Sequence, residues 1–108
     1  MPTPRPGRRV RGSATGRPLM AALDLLGRRW ALRILWELRS DGLTFRALRD
    51  MCDGVSPTVL NTRLGELREA GLIESTPEGY AVTDLGQELC GALAPLKHWA
   101  QRWAKHAP

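Results

Sequence analysis

The chain is poor in the residues on which most enzymes, metal centres and secreted domains depend. It holds two cysteines, Cys52 and Cys90, and two histidines, His98 and His106. Two widely separated thiols do not make a zinc cluster or a disulfide framework. Both lie among apolar neighbours, where small buried hydrophobes are expected and redox sensing is the alternative. The histidines stand alone, with no carboxylate or cysteine at ligand spacing. There is no Gly-rich phosphate loop and no Ser/His/Asp arrangement. Neither catalysis, nor a metal, nor a cofactor is therefore expected. No apolar run approaches the ~18 residues of a membrane span. The Arg-rich N-terminus has no apolar segment behind it, so a secretory signal is not indicated and the cytoplasm is the simplest location.

Acidic residues are missing from positions 1–17, where five arginines stand: Arg5, Arg8, Arg9, Arg11 and Arg17. Residues 18–108 carry 11 basic and 11 acidic residues, so the net charge of +5 resides entirely in the first segment. Pro2, Pro4, Pro6, Gly7, Gly12 and Gly16 leave that segment little apolar surface to bury, and it is expected as a disordered basic arm. Such an arm neutralises phosphates or enters a minor groove, the alternative being a solubilising tail. Residues 18–106 form one small domain.

Within that domain the hydrophobic period is helical. Pro18 opens a helix to Leu26, with Leu19, Ala22, Leu23 and Leu26 on one stripe and Gly27 ending it. A second helix, about 29–39, turns Trp30, Ile34, Leu35 and Leu38 inward. After the turn Ser40-Asp41-Gly42, Thr44 caps a helix whose face is Phe45, Leu48 and Met51. Asp53-Gly54 breaks it, and Gly54 suits a left-handed turn. Ser56-Pro57 starts the next helix, joining an N-cap to proline at the first helical position. There Leu60, Leu64 and Leu67 form the inward stripe, flanked by Val59 and Arg63. Gly71 closes it, and residues 72–76 and 80–82 make a short hairpin about Pro77-Glu78-Gly79. Thr83 caps a last helix to about Lys105, striped by Leu85, Leu89, Leu93, Leu96, Trp99 and Trp103, which Pro95 is expected to bend or interrupt.

Two helices, a tight turn and a hairpin outline a mainly α fold with a small β-hairpin: a winged helix-turn-helix with an extra C-terminal dimerisation helix. In such a fold the helix from Pro57 enters a major groove of double-stranded DNA. Asn61 suits a two-pronged pairing with adenine, and Thr58 and Thr62 suit phosphates or a thymine methyl. Arg63 suits guanine or phosphate, and Ser56 and Pro57 open a helix end with free N–H groups. Arg46 and Arg49 would grip the flanking backbone. The terminal helices offer a two-fold interface of Leu19, Leu23, Leu93, Leu96, Trp99 and Trp103. Two readings compete with this one: a winged helix used only for protein contact, and a regulator that also senses a small-molecule effector beside Trp30 and Trp36.

The segments ALDLLGRRWALRILWEL, LTFRAL, GVSPTVLNTRLGELREAGLI and YAVTDLGQEL resemble the HxlR family of bacterial winged-helix regulators, over about residues 17–104. The resemblance implies a homodimeric transcription factor, often a repressor, joined through its terminal helices. Three positions depart from the family pattern. Arg17-Pro18 stands where many members have Cys-Pro, the cysteine that responds to electrophiles in redox-sensing members, and Cys52 and Cys90 do not replace it by position. The wing is short and carries Glu74 and Glu78 with no base. Thr44 stands where relatives usually have arginine.

Overall fold

The computed structural model describes residues 2–108, and its element order is that of a winged helix. Helices α1 (Pro18–Leu26), α2 (Ala31–Leu38), α3 (Phe45–Met51) and α4 (Pro57–Glu69) precede β1 (Ile73–Thr76), β2 (Gly79–Val82) and the long α5 (Asp84–His106). The two strands pair antiparallel, with Ile73 opposite Val82 and Thr76 opposite Gly79. A third short partner joins them. Leu43 exchanges both backbone hydrogen bonds with Tyr80, at 2.9 and 2.8 Å, and so ties the entry of α3 to the hairpin. Gly79 makes this approach possible: at φ +149° a Cβ there would lie 2.3 Å from the Leu43 carbonyl oxygen.

The core forms where α2, α3 and α4 meet the hairpin. Ile34, Leu35 and Leu38 of α2, Leu48 of α3, and Leu60, Leu64 and Leu67 of α4 are all fully buried, as is Cys52 just after α3. Local chemistry sets the helix ends. The Thr44 and Ser56 hydroxyls accept from the Ala47 and Val59 N–H groups at 3.0 and 3.1 Å, and Thr83 does the same for Gly86 at 3.1 Å. At the end of α4 the Leu72 N–H donates to Leu67 and the Gly71 N–H to Arg68, with Gly71 at φ +80°. These two bonds satisfy the last carbonyls and turn the chain into β1. The first turn of α5 packs so closely on Leu72 that only glycine fits at position 86.

Several expectations need correction. The second helix starts at Ala31, because Trp30 adopts a left-handed conformation (φ 75°) and precedes it as a half-buried residue against the core. In α1 the buried residues are Ala21 and Leu25, while Leu19 and Leu23 face solvent. Met51 is exposed and Cys52 takes the inward place. Pro95 does not interrupt α5, which is helical throughout. Residues 2–17 lie against the body in this structure. Val10 and Ser13 pair in a small turn, Gly7 bonds to Gly16 at 2.9 Å, and Pro4 is buried.

From Gly91 onward nearly every residue of α5 is exposed or half-exposed. A 23-residue helix is ~34 Å long, so its second half projects beyond the core. The radius of gyration, 14.5 Å, exceeds the ~13 Å of a compact chain of this length, in keeping with that projection.

Candidate nucleic-acid interface

The α3–turn–α4 unit is built so that one side of α4 is anchored and the other left open. Leu60, Leu64 and Leu67 bury the anchored side. The turn between the helices is closed by Gly54 at φ +77° and by buried Val55, whose N–H bonds the Cys52 carbonyl at 3.1 Å. Pro57, Thr58, Asn61 and Thr62 are exposed on the open side, with Ser56 at the helix mouth. The Thr62 hydroxyl donates to the Thr58 carbonyl at 3.0 Å, which fixes its rotamer. The Asn61 amide is exposed and has no hydrogen-bond partner among the described residues. Pro57 has no N–H and the Ser56 hydroxyl takes that of Val59, so the Ser56 and Thr58 N–H groups are left free at this mouth, with the positive end of the helix dipole.

Arg46 and Arg49 stand exposed on α3, and neither forms an ion pair among the described residues. Beside them a shallow cleft of about 580 Å³ runs from Arg49 past Asp53 to Ser56 and Pro57. Asp50 and Asp53 sit on its wall, so the local charge is mixed. Arg33 secures this region from behind. It donates to Glu37 at 2.9 Å and to the Met51 carbonyl at 2.7 Å, and the Glu37 hydrogen bond raises its pKa above the ordinary guanidinium value.

Arg63, expected beside the reading face, makes its contacts within the chain. Its guanidinium points back along the body, donating to the Arg29 carbonyl at 2.7 Å and to Glu66 at 2.9 Å. The Glu66 carboxylate is buried and also receives Arg28. Arg63 is thus occupied inside the chain while Asn61 is not. Sequence spacing alone flagged Arg63 as a flanking position; its partner lay three residues on, at the i,i+3 spacing of a helix surface pair.

The arm lies at the far end of α4. Thr3 donates to Glu69 at 2.8 Å and Arg5 at 3.3 Å, and Arg28 donates to the Pro2 carbonyl at 2.9 Å. Glu69 ends a 13-residue helix, so this contact sits roughly 20 Å from the Ser56 end. In this arrangement the arm is remote from the open face.

The residues read as an interface divide between two helices. Leu19 and Leu23 are exposed on α1, and Leu96, Trp99 and Trp103 on α5, while Leu93 is half-buried. Trp99 and Trp103 stack with ring centroids 5.7 Å apart and planes 9° from parallel. Cys52 and Cys90 are buried free thiols, and burial pushes the pKa of each upward. Among the described residues there is no cluster of three or more metal-ligating side chains, and no helix is long and apolar enough to cross a membrane.

Known proteins of the same shape are transcriptional regulators. The HxlR-like helix-turn-helix family model matches residues 25–108. An uncharacterized HTH-type transcriptional regulator of Bacillus subtilis, YvaP, is 30% identical over 89 residues, covering 76% of this chain and 82% of its own length. An uncharacterized HTH-type transcriptional regulator of Mycobacterium tuberculosis strain H37Rv is 32% identical over 106 residues, 88% of this chain but only 61% of that protein. Among solved structures, quinone-bound YodB from B. subtilis superposes with a TM-score of 0.73 at 26% identity, covering 78% of this chain and 96% of that one. A Thermoplasma volcanium protein described as a possible HxlR family transcriptional factor gives 0.72 at 28% identity, over 82% and 85% of the two chains. The chain therefore belongs to the HxlR-like helix-turn-helix family and is a DNA-binding transcriptional regulator, not an enzyme.

Proposed function

We propose that this regulator acts as a homodimeric repressor that reads a specific DNA sequence with the first two turns of α4. One observation carries the reading: Thr58, Asn61 and Thr62 face solvent on a helix whose opposite side is fully buried. Asn61 supplies the donor–acceptor pair that matches adenine in the major groove. Thr58 and Thr62 contact phosphate or a thymine methyl, and the Ser56 and Pro57 end directs backbone N–H groups at a phosphate. Arg46 and Arg49 add sequence-independent grip. Arg63 holds the helix rather than reading bases. The acidic wing, with Glu74 and Glu78 exposed, contributes little to phosphate binding.

A second copy covers the exposed apolar residues of α1 and α5, and the paired α4 helices then address half-sites one helical turn, ~34 Å, apart. Occupying such a site blocks the transcription machinery. The test is fluorescence anisotropy on DNA from the chain's own upstream region across a salt series. Asn61→Ala is expected to lose specific binding while retaining the dimer. Equal, weak affinity for every sequence, abolished by deleting residues 1–17, would leave only a basic tail at work.

An effector-responsive form of the same function is supported by a groove of about 350 Å³ between α2 and α5. Leu32, Trp36, Leu93 and Leu96 make it apolar and Lys97 stands in its lining, whereas Trp30 is not part of it. Its size is at the lower end for small-molecule sites. Quenching of tryptophan fluorescence by candidate aromatic effectors tests this; no quenching with any of them removes the reading.

A further inference from the structure

Glu66 is the one buried charged residue among the described residues, and its surroundings join parts of the molecule that are distant in sequence. It lies on α4, three residues after Arg63 and on the helix that carries the open reading face. One carboxylate oxygen accepts from Arg63 at 2.9 Å and the other from Arg28. Arg63 donates again to the Arg29 carbonyl at 2.7 Å, and Arg28 donates to the Pro2 carbonyl at 2.9 Å. The turn between α1 and α2 is thereby fastened to α4 at two points, Arg28 on Glu66 and Arg63 on the Arg29 carbonyl. At its end Trp30 sits at φ 75°, a conformation that a bulky residue holds only when its surroundings impose it. The side chains of Arg28, Arg63 and Glu66 are 13%, 20% and 11% exposed, so water screens these charges weakly.

The Leu60, Leu64 and Leu67 contacts hold α4 by shape alone and form no directional bonds. A buried carboxylate gripped by two guanidiniums does carry direction. We propose that Glu66, with Arg28 and Arg63, is a positioning cluster that fixes the roll and depth of α4 relative to the α1–α2 turn, and through it the sharpness of base recognition. The cluster touches no base. It rests on the reading above, in which α4 faces the groove, and its function is to keep Asn61 in register with its base rather than to add affinity. Buried ion clusters of this kind contribute little net stability compared with apolar residues of equal size, and specificity is the better account of them when it can be measured.

The experiment compares the wild type with Glu66→Gln and with the triple variant Arg28→Met/Arg63→Met/Glu66→Met, in the full chain. The probes are a DNA fragment enriched from a random pool by the wild type, and the same fragment with one base pair changed. Thermal melting and sedimentation are recorded for each protein, and binding is measured well below every melting midpoint. The apolar triple variant leaves no charge of the cluster unpaired and is expected to melt near the wild type. Both variants are expected to lose about tenfold or more in the ratio of affinities for the two fragments, comparable to losing one good base contact. Affinity for unrelated DNA and its salt slope should not change, since Arg46 and Arg49 are untouched. A merely structural role would lower the melting midpoint and leave the ratio intact in the folded fraction. An unchanged ratio in either folded, wild-type-sized variant overturns the proposal. Asn61→Ala distinguishes this failure from failure of the underlying reading: if that variant keeps the ratio, α4 does not read the base. If Asn61→Ala loses the ratio and the Glu66 variants keep it, only the cluster is wrong.

Discussion

Trp103 offers the most direct measurement of how the chain assembles. The residue lies in the projecting half of α5, is 58% exposed, stacks only on Trp99 and stands outside the core cluster. Alanine in its place is therefore expected to leave the monomer fold intact, and it favours helix more than tryptophan does. For an indole of ~250 Å², that exposure leaves roughly 140 Å² in water, or ~3.5 kcal/mol at ~25 cal/mol per Å² if a partner covered it completely. A two-fold interface contains the residue twice, which puts the ceiling near ~7 kcal/mol. Coverage at an interface is partial, and about half of that ceiling is the working value. Trp103→Ala should then weaken dimerisation by about two orders of magnitude or more, since each ~1.4 kcal/mol is tenfold. Sedimentation velocity over a dilution series reads this directly, with circular dichroism confirming that the helix content is retained. Equal dimerisation constants for variant and wild type would refute the placement of the interface. A wild type that sediments as a monomer at micromolar concentration would refute the dimer itself.

Other consequences can be checked by simpler means. Arg46→Ala and Arg49→Ala should each weaken binding to all DNA sequences alike and reduce the salt slope by about one, in contrast to the sequence-selective loss in Asn61→Ala; a selective loss in either would make that arginine a base reader. Gly79→Ala places a methyl 2.3 Å from the Leu43 oxygen at φ +149°, so a loss of ~2 kcal/mol or more is expected, visible as a fall in melting midpoint of roughly 8 °C or more. A wild-type midpoint would show that the wing adjusts freely. Cys52 and Cys90 should resist alkylation in the native protein at neutral pH, because burial favours the neutral thiol in both. The same shift makes stability pH-dependent. The folded chain keeps protons that the unfolded chain releases above ~8.5, so this contribution is full below that pH and is lost as pH rises through the raised folded values. Urea melts of the wild type and Cys52→Ala/Cys90→Ala should diverge on the alkaline side, and parallel curves would contradict the assignment.

Much of the fold was legible because it is written in local signals. Thr44, Ser56-Pro57, Gly54, Gly71 and Thr83 each mark an element boundary by their own chemistry, and the structure uses each at its expected place. The stripe Leu60, Leu64 and Leu67 identified the buried side of α4 and, by subtraction, the exposed side with Asn61. What was not legible depends on distant partners. Nothing in the neighbourhood of Arg63 showed that the Arg29 carbonyl, 34 residues earlier, would take up its guanidinium. The pairing of Leu43 with Tyr80 and the seating of Thr3 and Arg5 on Glu69 are long-range in the same way. In α1, apolar residues occupy both sides of a nine-residue helix, so the period could not say which side met the core. Trp30 defied its neighbours' helical pattern because the turn before α2 needed a left-handed residue there.

The division of labour along α4 has a practical meaning for changing what this regulator recognises. The side chains at positions 58 and 61 make no contact on which the fold depends, and the residues that seat the helix, at 60, 63, 64, 66 and 67, lie on other faces. Substitutions at the first group can be varied as a library without eroding the scaffold that presents them. On the proposed reading, in which these side chains meet the bases, retargeting the protein to a new operator is a matter of exchanging a few solvent-facing residues on a fixed mount.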